Sequence, residues 1–283
     1  DSFGQGSGQA TLTVSVPTGA TSGDHRITVV ASSAGQTWSS TATVAVEGVD
    51  ADVVRFSTVG NQRPPGVPGT PDDADILRWR SGGGVTEWLD LSAPPFALPA
   101  RADVDGFSQG RGRRFFVSFA HSIRVPGLGR VHDEDVVRFD GTRWRLWFDG
   151  SRHGLGARTG IDAVSVSRGR LFFSTDRRAK PPGVGGSGDD ADIYRWQGRR
   201  FSRVWDASRH GLPRRADIDG LHVAGTNRLA MSFRSARTRI SGFAGVGDED
   251  IVGFHGGQWT LVFDGGGHGL RGPGRDIDAF DLR

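Results

Sequence analysis

The sequence predicts an all-β chain, a four-bladed β-propeller closed by its N- and C-terminal strands and preceded by a small β-sandwich-like segment. Three observations predict it. The 283 residues hold 44 Gly, 13 Pro and no Cys, Lys180 is the sole lysine, and only Glu47, Glu87, Glu134 and Glu249 accompany the aspartates, so long helix formers are scarce. A unit of about 58 residues recurs four times from residue 50 onward. The last copy lacks its final strand, and the missing piece stands in front of the first copy.

The N-terminal segment, residues 1–49, carries three stretches of period-two alternation at 10–17, 25–33 and 37–47, separated by Gly-containing turns. Three strands cannot close a two-sheet sandwich, so an open edge or face is expected, suited to strand addition by a neighbouring chain. The chain starts at Asp1 and not Met. The expectation is therefore a processed product, with any export signal removed, or a piece of something longer.

Residues 50–283 form the repeats. One unit opens DEDVVRFDGTRWRLWFDGSRHGL at Asp133, the next DADIYRWQGRRFSRVWDASRHGL at Asp190, a third DEDIVGFHGGQWTLVFDGGGHGL at Asp248, and a divergent copy DADILRW at Asp73. The second Asp of each opening triplet falls at 75, 135, 192 and 250. A second triplet, at 103–105, 160–162, 217–219 and 276–278, halves each unit into two hairpins, which gives four strands per repeat, the size of a propeller blade. The 33 residues after Asp250 and the 25 from Ala51 to Asp75 together make one repeat. A ring closed by pairing the two termini accounts for this permutation, whereas an open solenoid would need caps.

The run TLTVSVPTGATSGDHRITVVASSAGQTWSSTATVAV resembles the last three strands of immunoglobulin-like domains common in secreted bacterial proteins. The DxD-initiated hairpins, with their FDGSxxGL and PGxxG loops, resemble a propeller repeat of predicted secreted bacterial proteins over residues 50–283. The architecture is similar to that of four-bladed hemopexin-like propellers, although the motifs differ. These resemblances imply an extracellular or cell-surface location, a non-enzymatic binding role and ions in the central channel. The first repeat departs from its siblings, with SGGG at 81–84 and LSAPPFALP at 91–99 in place of a Gly-His-Gly-Leu type loop.

Carboxylates two apart on a strand point to the same side. The candidate metal ligands are Asp73, Asp75, Asp103, Asp105, Asp133, Asp135, Asp162, Asp190, Asp192, Asp217, Asp219, Asp248, Asp250, Asp276 and Asp278, aimed at one rim or into the channel. Calcium takes six to eight oxygens, so adjacent blades or backbone carbonyls would have to complete each site. The other reading is that each Asp caps the turn entering its strand or pairs with Arg.

His153, His210 and His268 recur in the HGL loops. They read as loop-structural, since equivalent positions on different blades sit apart, against a converging zinc cluster. Trp79, Phe139, Trp196 and Phe254, with Trp144, Phe201 and Trp259, are expected between blades, and one of Trp147 and Trp205 is a candidate for stacking on a sugar. Arg clusters at 111–114 and 198–203 sit on turns of different blades, so no basic groove for nucleic acid is evident. No catalytic motif stands out from the repetition, and no stretch is long and apolar enough for a membrane helix. The expectation is an extracellular structural or interaction protein, self-associating through residues 10–48 and binding calcium. A glycan-binding surface module is the alternative, and an Asp-dependent glycosidase ranks below both.

Overall fold

The computed structural model describes residues 23–33, 36–46, 51–157, 159–235, 237–240 and 245–283. Two of the three expected N-terminal strands are present as β1 (Gly23–Ser33) and β2 (Gln36–Val46), which pair antiparallel from Gly23↔Val46 to Ser33↔Gln36. The third expected strand, at 10–17, lies outside the described residues.

From residue 53 onward four four-stranded sheets form the propeller. The first blade runs, from the axis outward, β20 (Ala279–Leu282), β3 (Val53–Ser57), β4 (Ile76–Arg80) and β5 (Val85–Leu89). The second is β6 (Val104–Gln109), β7 (Phe115–Phe119), β10 (Val136–Phe139) and β11 (Trp144–Phe148). The third is β12 (Ala163–Ser167), β13 (Arg170–Ser174), β14 (Ile193–Trp196) and β15 (Phe201–Trp205). The fourth is β16 (Ile218–Gly225), β17 (Arg228–Phe233), β18 (Ile251–His255) and β19 (Gln258–Phe263). The innermost strands β6, β12, β16 and β20 touch one another around the axis. The second strands are buried on both faces, so β7 reads FFVSF with all five residues buried, a continuous run where an outer strand alternates.

The expected permutation is the ring closure. The C-terminal β20 pairs antiparallel with β3, from Ala279↔Ser57 to Leu282↔Val54, and Val53 and Arg283 exchange backbone hydrogen bonds at 2.7 and 2.9 Å. A side-chain belt reinforces the ring. The third residue after each channel-mouth Asp is Ser108, Ser165, His222 or Asp281, and each accepts a hydrogen bond from the inner strand of a neighbouring blade. Val166 N–H donates to Ser108 Oγ at 2.9 Å and Val223 N–H to Ser165 Oγ at 2.9 Å. Leu282 N–H donates to His222 Nδ1 at 3.3 Å, and Gln109 N–H to Asp281 Oδ1 at 3.2 Å, which completes the circle.

Each hydrophobic cluster spans two adjacent blades, so the core is divided into four wedges. The repeated aromatics fill these wedges as expected, with Phe139 5.2 Å from Trp144, Trp196 4.6 Å from Phe201 and Phe254 4.9 Å from Trp259. The HGL histidines are structural. His153 lies 4.3 Å from Trp196, His210 4.8 Å from Phe254 and His268 4.8 Å from Trp79, each covering an aromatic ring. The divergent first-blade loop supplies Phe96 instead, 4.8 Å from Phe139. Its carbonyl accepts from Trp144 Nε1 at 2.9 Å, as the His210 carbonyl accepts from Trp259 Nε1 at 3.3 Å. Of the two candidates for sugar stacking, Trp205 is buried, and Trp147 is half-buried with its ring 4.7 Å from Phe116 in an edge contact.

Two features went unread in the sequence. The loops at 151–153, 207–210 and 266–268 coil into single 3-10 turns ending on Gly154, Gly211 and Gly269 in the left-handed region. The second blade also carries a small hairpin, β8 (Ile123–Val125) with β9 (Gly129–Val131), whose Ile123, Val125 and Val131 join the core.

Candidate functional site: a carboxylate ring at one mouth of the channel

Strand direction alternates within each blade, so all eight triplets, seven of them DxD, lie at the same end of the propeller. The two triplets of each repeat interlock there. The carbonyls of Asp73, Asp133, Asp190 and Asp248 accept from the N–H of Val104, Ile161, Ile218 and Ile277, the central residues of the inner triplets.

The triplets divide by task. In those that open the third strand of a blade, the second Asp ties down backbone. Asp135 accepts from His132 N–H at 2.9 Å and Gly150 N–H at 3.0 Å, and Asp250 accepts from Gly247 N–H at 2.9 Å and Gly265 N–H at 3.2 Å. Asp192 accepts from Ala207 N–H at 3.2 Å and pairs with Arg203 at 2.8 Å. Asp75 accepts only from Asp72 N–H, its Oδ1 has no partner in the divergent blade, and burial pushes it up to about 7. Of the first residues, Asp248 pairs with Arg275 at 2.8 Å. Asp135, Asp192 and Asp250, read from sequence as candidate metal ligands, thus have both oxygens engaged as turn caps or ion-pair partners, whereas Asp75 is bonded through one oxygen only.

The triplets that open the innermost strands differ. Asp105, Asp162, Asp219 and Asp278 stand around the axis, with Asp103, Asp217 and Asp276 one step outward. Asp162 is fully buried, and Asp219 and Asp278 are 2% exposed. Neither oxygen of Asp162 nor of Asp278 has a hydrogen-bond partner among the described residues. One oxygen each of Asp162, Asp217 and Asp219 lies within 4.8 Å of the others. Burial, then mutual repulsion, pushes Asp105, Asp162, Asp219 and Asp278 well above the ordinary carboxylate range. Burial likewise raises Asp103 and Asp217 to about 6 and Asp276 to about 7. Facing carboxylates such as these require a shared proton or a cation between them.

The ring is also not fourfold. Where the siblings have Asp103, Asp217 and Asp276, the third blade has Gly160, and the Asp176 carboxylate fills the space, with its Oδ1 accepting from Gly160 N–H at 2.9 Å. A Cβ at Gly160 would meet Asp176 at 3.2 Å. The position of Asp176 is held by Val59, Ala120 and Arg234 in the other blades, as shown by the same backbone bond in each. The carboxylate has thus moved to the neighbouring strand, which sequence alignment of the triplets alone could not reveal. Arg234 brings a guanidinium beside Asp219 and Asp217, which hold it protonated.

No family model matches the chain, and no curated protein matches it. Three solved structures are similar to it in part. YCF48 bound to D1 peptide shares 9% identity over 71% of this chain and 55% of that one, with a TM-score of 0.33. The β-propeller domain of the Trilobed protease from Pyrococcus furiosus, which has an open velcro topology, shares 11% over 81% of this chain and 58% of that one, with a TM-score of 0.29. Pyrococcus horikoshii acylaminoacyl peptidase shares 11% over 93% of this chain and 35% of that one, with a TM-score of 0.29. The chain thus spans between about a third and three fifths of these proteins, and the four-bladed architecture stands on its own four sheets.

Proposed function

We propose that the chain is a non-enzymatic interaction module of the extracellular or cell-surface kind, whose propeller is fixed by calcium held in the channel-mouth ring. One observation carries this reading: the buried, unpartnered oxygens of Asp162 lie beside Asp217 and Asp219. The donor set is all oxygen and carboxylate-rich, which suits a hard cation and not zinc or copper. Asp162, Asp217 and Asp219 would hold the ion, and its charge would replace the protons that the ring otherwise requires.

Burial favours a scaffold over a glycosidase, since Asp162 and Asp219 have almost no exposed surface with which to reach a glycosidic oxygen. The proposed interaction includes self-association through the N-terminal strands. Val29 and Val30 are 39% and 62% exposed on a two-stranded ribbon, which is marginal without a further partner.

Titration calorimetry with calcium and thermal melts in calcium or chelator test the cation. We expect saturable binding and stabilisation of about 2.7 kcal/mol at a hundredfold excess over Kd, both lost in Asp162→Asn/Asp219→Asn. A melt identical in calcium and chelator overturns the reading. Light scattering tests assembly separately, and a strict monomer at high concentration removes self-association.

A further inference from the structure

The face opposite the carboxylate ring brings together several arginines from separate hairpins. Antiparallel alternation places the turns of every hairpin there, so Arg111, Arg113 and Arg114 of the second blade share a face with Arg168 and Arg170 of the third, all exposed. Two carboxylates at this end are already occupied. Asp140 takes Arg145 at 2.7 Å together with the N–H groups of Thr142 and Arg143, and Asp281 is buried and receives Gln109 N–H.

Between the third and fourth blades this face opens into a cavity of about 440 Å³. Arg168, Arg170 and Arg195 line it with Thr226 and Asn227, over the half-buried ring of Phe172. The Arg168 and Arg170 guanidinium groups have no ion-pair or hydrogen-bond partner among the described residues, in a chain where Arg145, Arg203 and Arg275 all find carboxylates. Arg168 is also held at φ 52°, in the left-handed region. Asn227, at φ 54° in the corresponding turn of the next blade, is the residue type that tolerates this conformation, whereas arginine is not. A strained, unpaired, exposed arginine at a pocket rim points to a ligand.

We propose that this groove binds an acidic polysaccharide. Guanidinium pairs bidentately with a carboxylate or sulfate group, and Thr226 and Asn227 supply the donors and acceptors that sugar hydroxyls need. The cavity has the size of a small-ligand pocket. Among the described residues no Phe, Tyr or Trp ring is exposed, which disfavours the base stacking that single-stranded nucleic acid uses. The site lies at the other end of the channel from the carboxylate ring and stands independently of calcium.

Affinity electrophoresis and calorimetry of the full chain, in calcium at fixed salt, test it with polygalacturonate for carboxylate, heparin for sulfate, dextran as neutral control and oligo-dT as the nucleic acid. The expected result is binding of polygalacturonate, heparin or both, tighter than oligo-dT and absent for dextran. It should weaken at least tenfold in Arg168→Ala/Arg170→Ala, with an unchanged melting temperature, and persist in Arg111→Ala/Arg113→Ala. Binding of neither polysaccharide overturns the proposal, as does equal loss in the two double variants or preference for oligo-dT.

Discussion

At the residue scale, one residue type in one motif carries two opposite physical roles. Asp135 is bonded at both oxygens, so Asp135→Asn exchanges an acceptor for a donor that faces Gly150 N–H or His132 N–H. The loss of a hydrogen bond in a buried site is expected to cost about 1–3 kcal/mol, read as a lowered denaturation midpoint in calcium and in chelator alike. Asp162 is unbonded, and burial among other carboxylates pushes it well above the ordinary carboxylate range. Asp162→Asn removes a buried repulsion, so in chelator at pH 8 the variant should melt above the wild type, while in calcium it should melt below. The crossing of the two curves is the diagnostic, and parallel curves would show that Asp162 is not at a cation site. Sequence spacing made both residues equal candidates. The distinction lies in whether a glycine or alanine N–H from the 3-10 turn, 15 residues away, arrives at the carboxylate.

At the element scale, the propeller depends on contacts between inner strands that belong to different sheets. The belt of Ser108, Ser165, His222 and Asp281 is a repeat of position without a repeat of residue type, which is why residue similarity did not disclose it. What the four share is an acceptor atom at the same distance from the ring Asp. Ser165→Ala leaves the Val223 N–H unsatisfied in a buried position, and a loss of about 1–3 kcal/mol is expected, measured by chemical denaturation. Ser165→Thr, which keeps the hydroxyl, should recover part of it. A neutral Ser165→Ala would show that water replaces the bond. The first blade shows the same principle, since Phe96 performs the covering and accepting work of the HGL histidine from an unrelated loop sequence.

At the scale of the whole molecule, charge is distributed unevenly, and net charge hides this. The chain carries only +3, yet one mouth concentrates buried carboxylates with Arg234 beside them. The mouth makes stability depend on pH in a direction opposite to that of an ordinary salt-bridged protein. An acid whose folded pKa is raised binds its proton more tightly in the native state, so its contribution is complete below the unfolded value of 3.8 and is lost as pH rises through the folded value. Asp103 and Asp217 at about 6, and Asp276 at about 7, place that loss between about pH 4 and pH 7. The buried Asp105, Asp162, Asp219 and Asp278 extend it upward. Melts in chelator should therefore fall steadily from pH 4 to pH 8, and calcium should flatten the fall by binding the deprotonated ring. A chelator profile rising over that range would contradict the shifts.

The sequence by itself determined the all-β class, the four repeats, the permutation closed by β20 and β3, and the aromatic wedges. Each of these is written as periodicity, and periodicity in the chain becomes rotation about an axis. Tertiary structure alone decided which aspartates face one another, that Asp176 stands in for the residue missing at Gly160, and that arginines from separate hairpins share one face. These are distances between blades, set by how four wedges close a ring, and spacing within a single repeat carries no information about them.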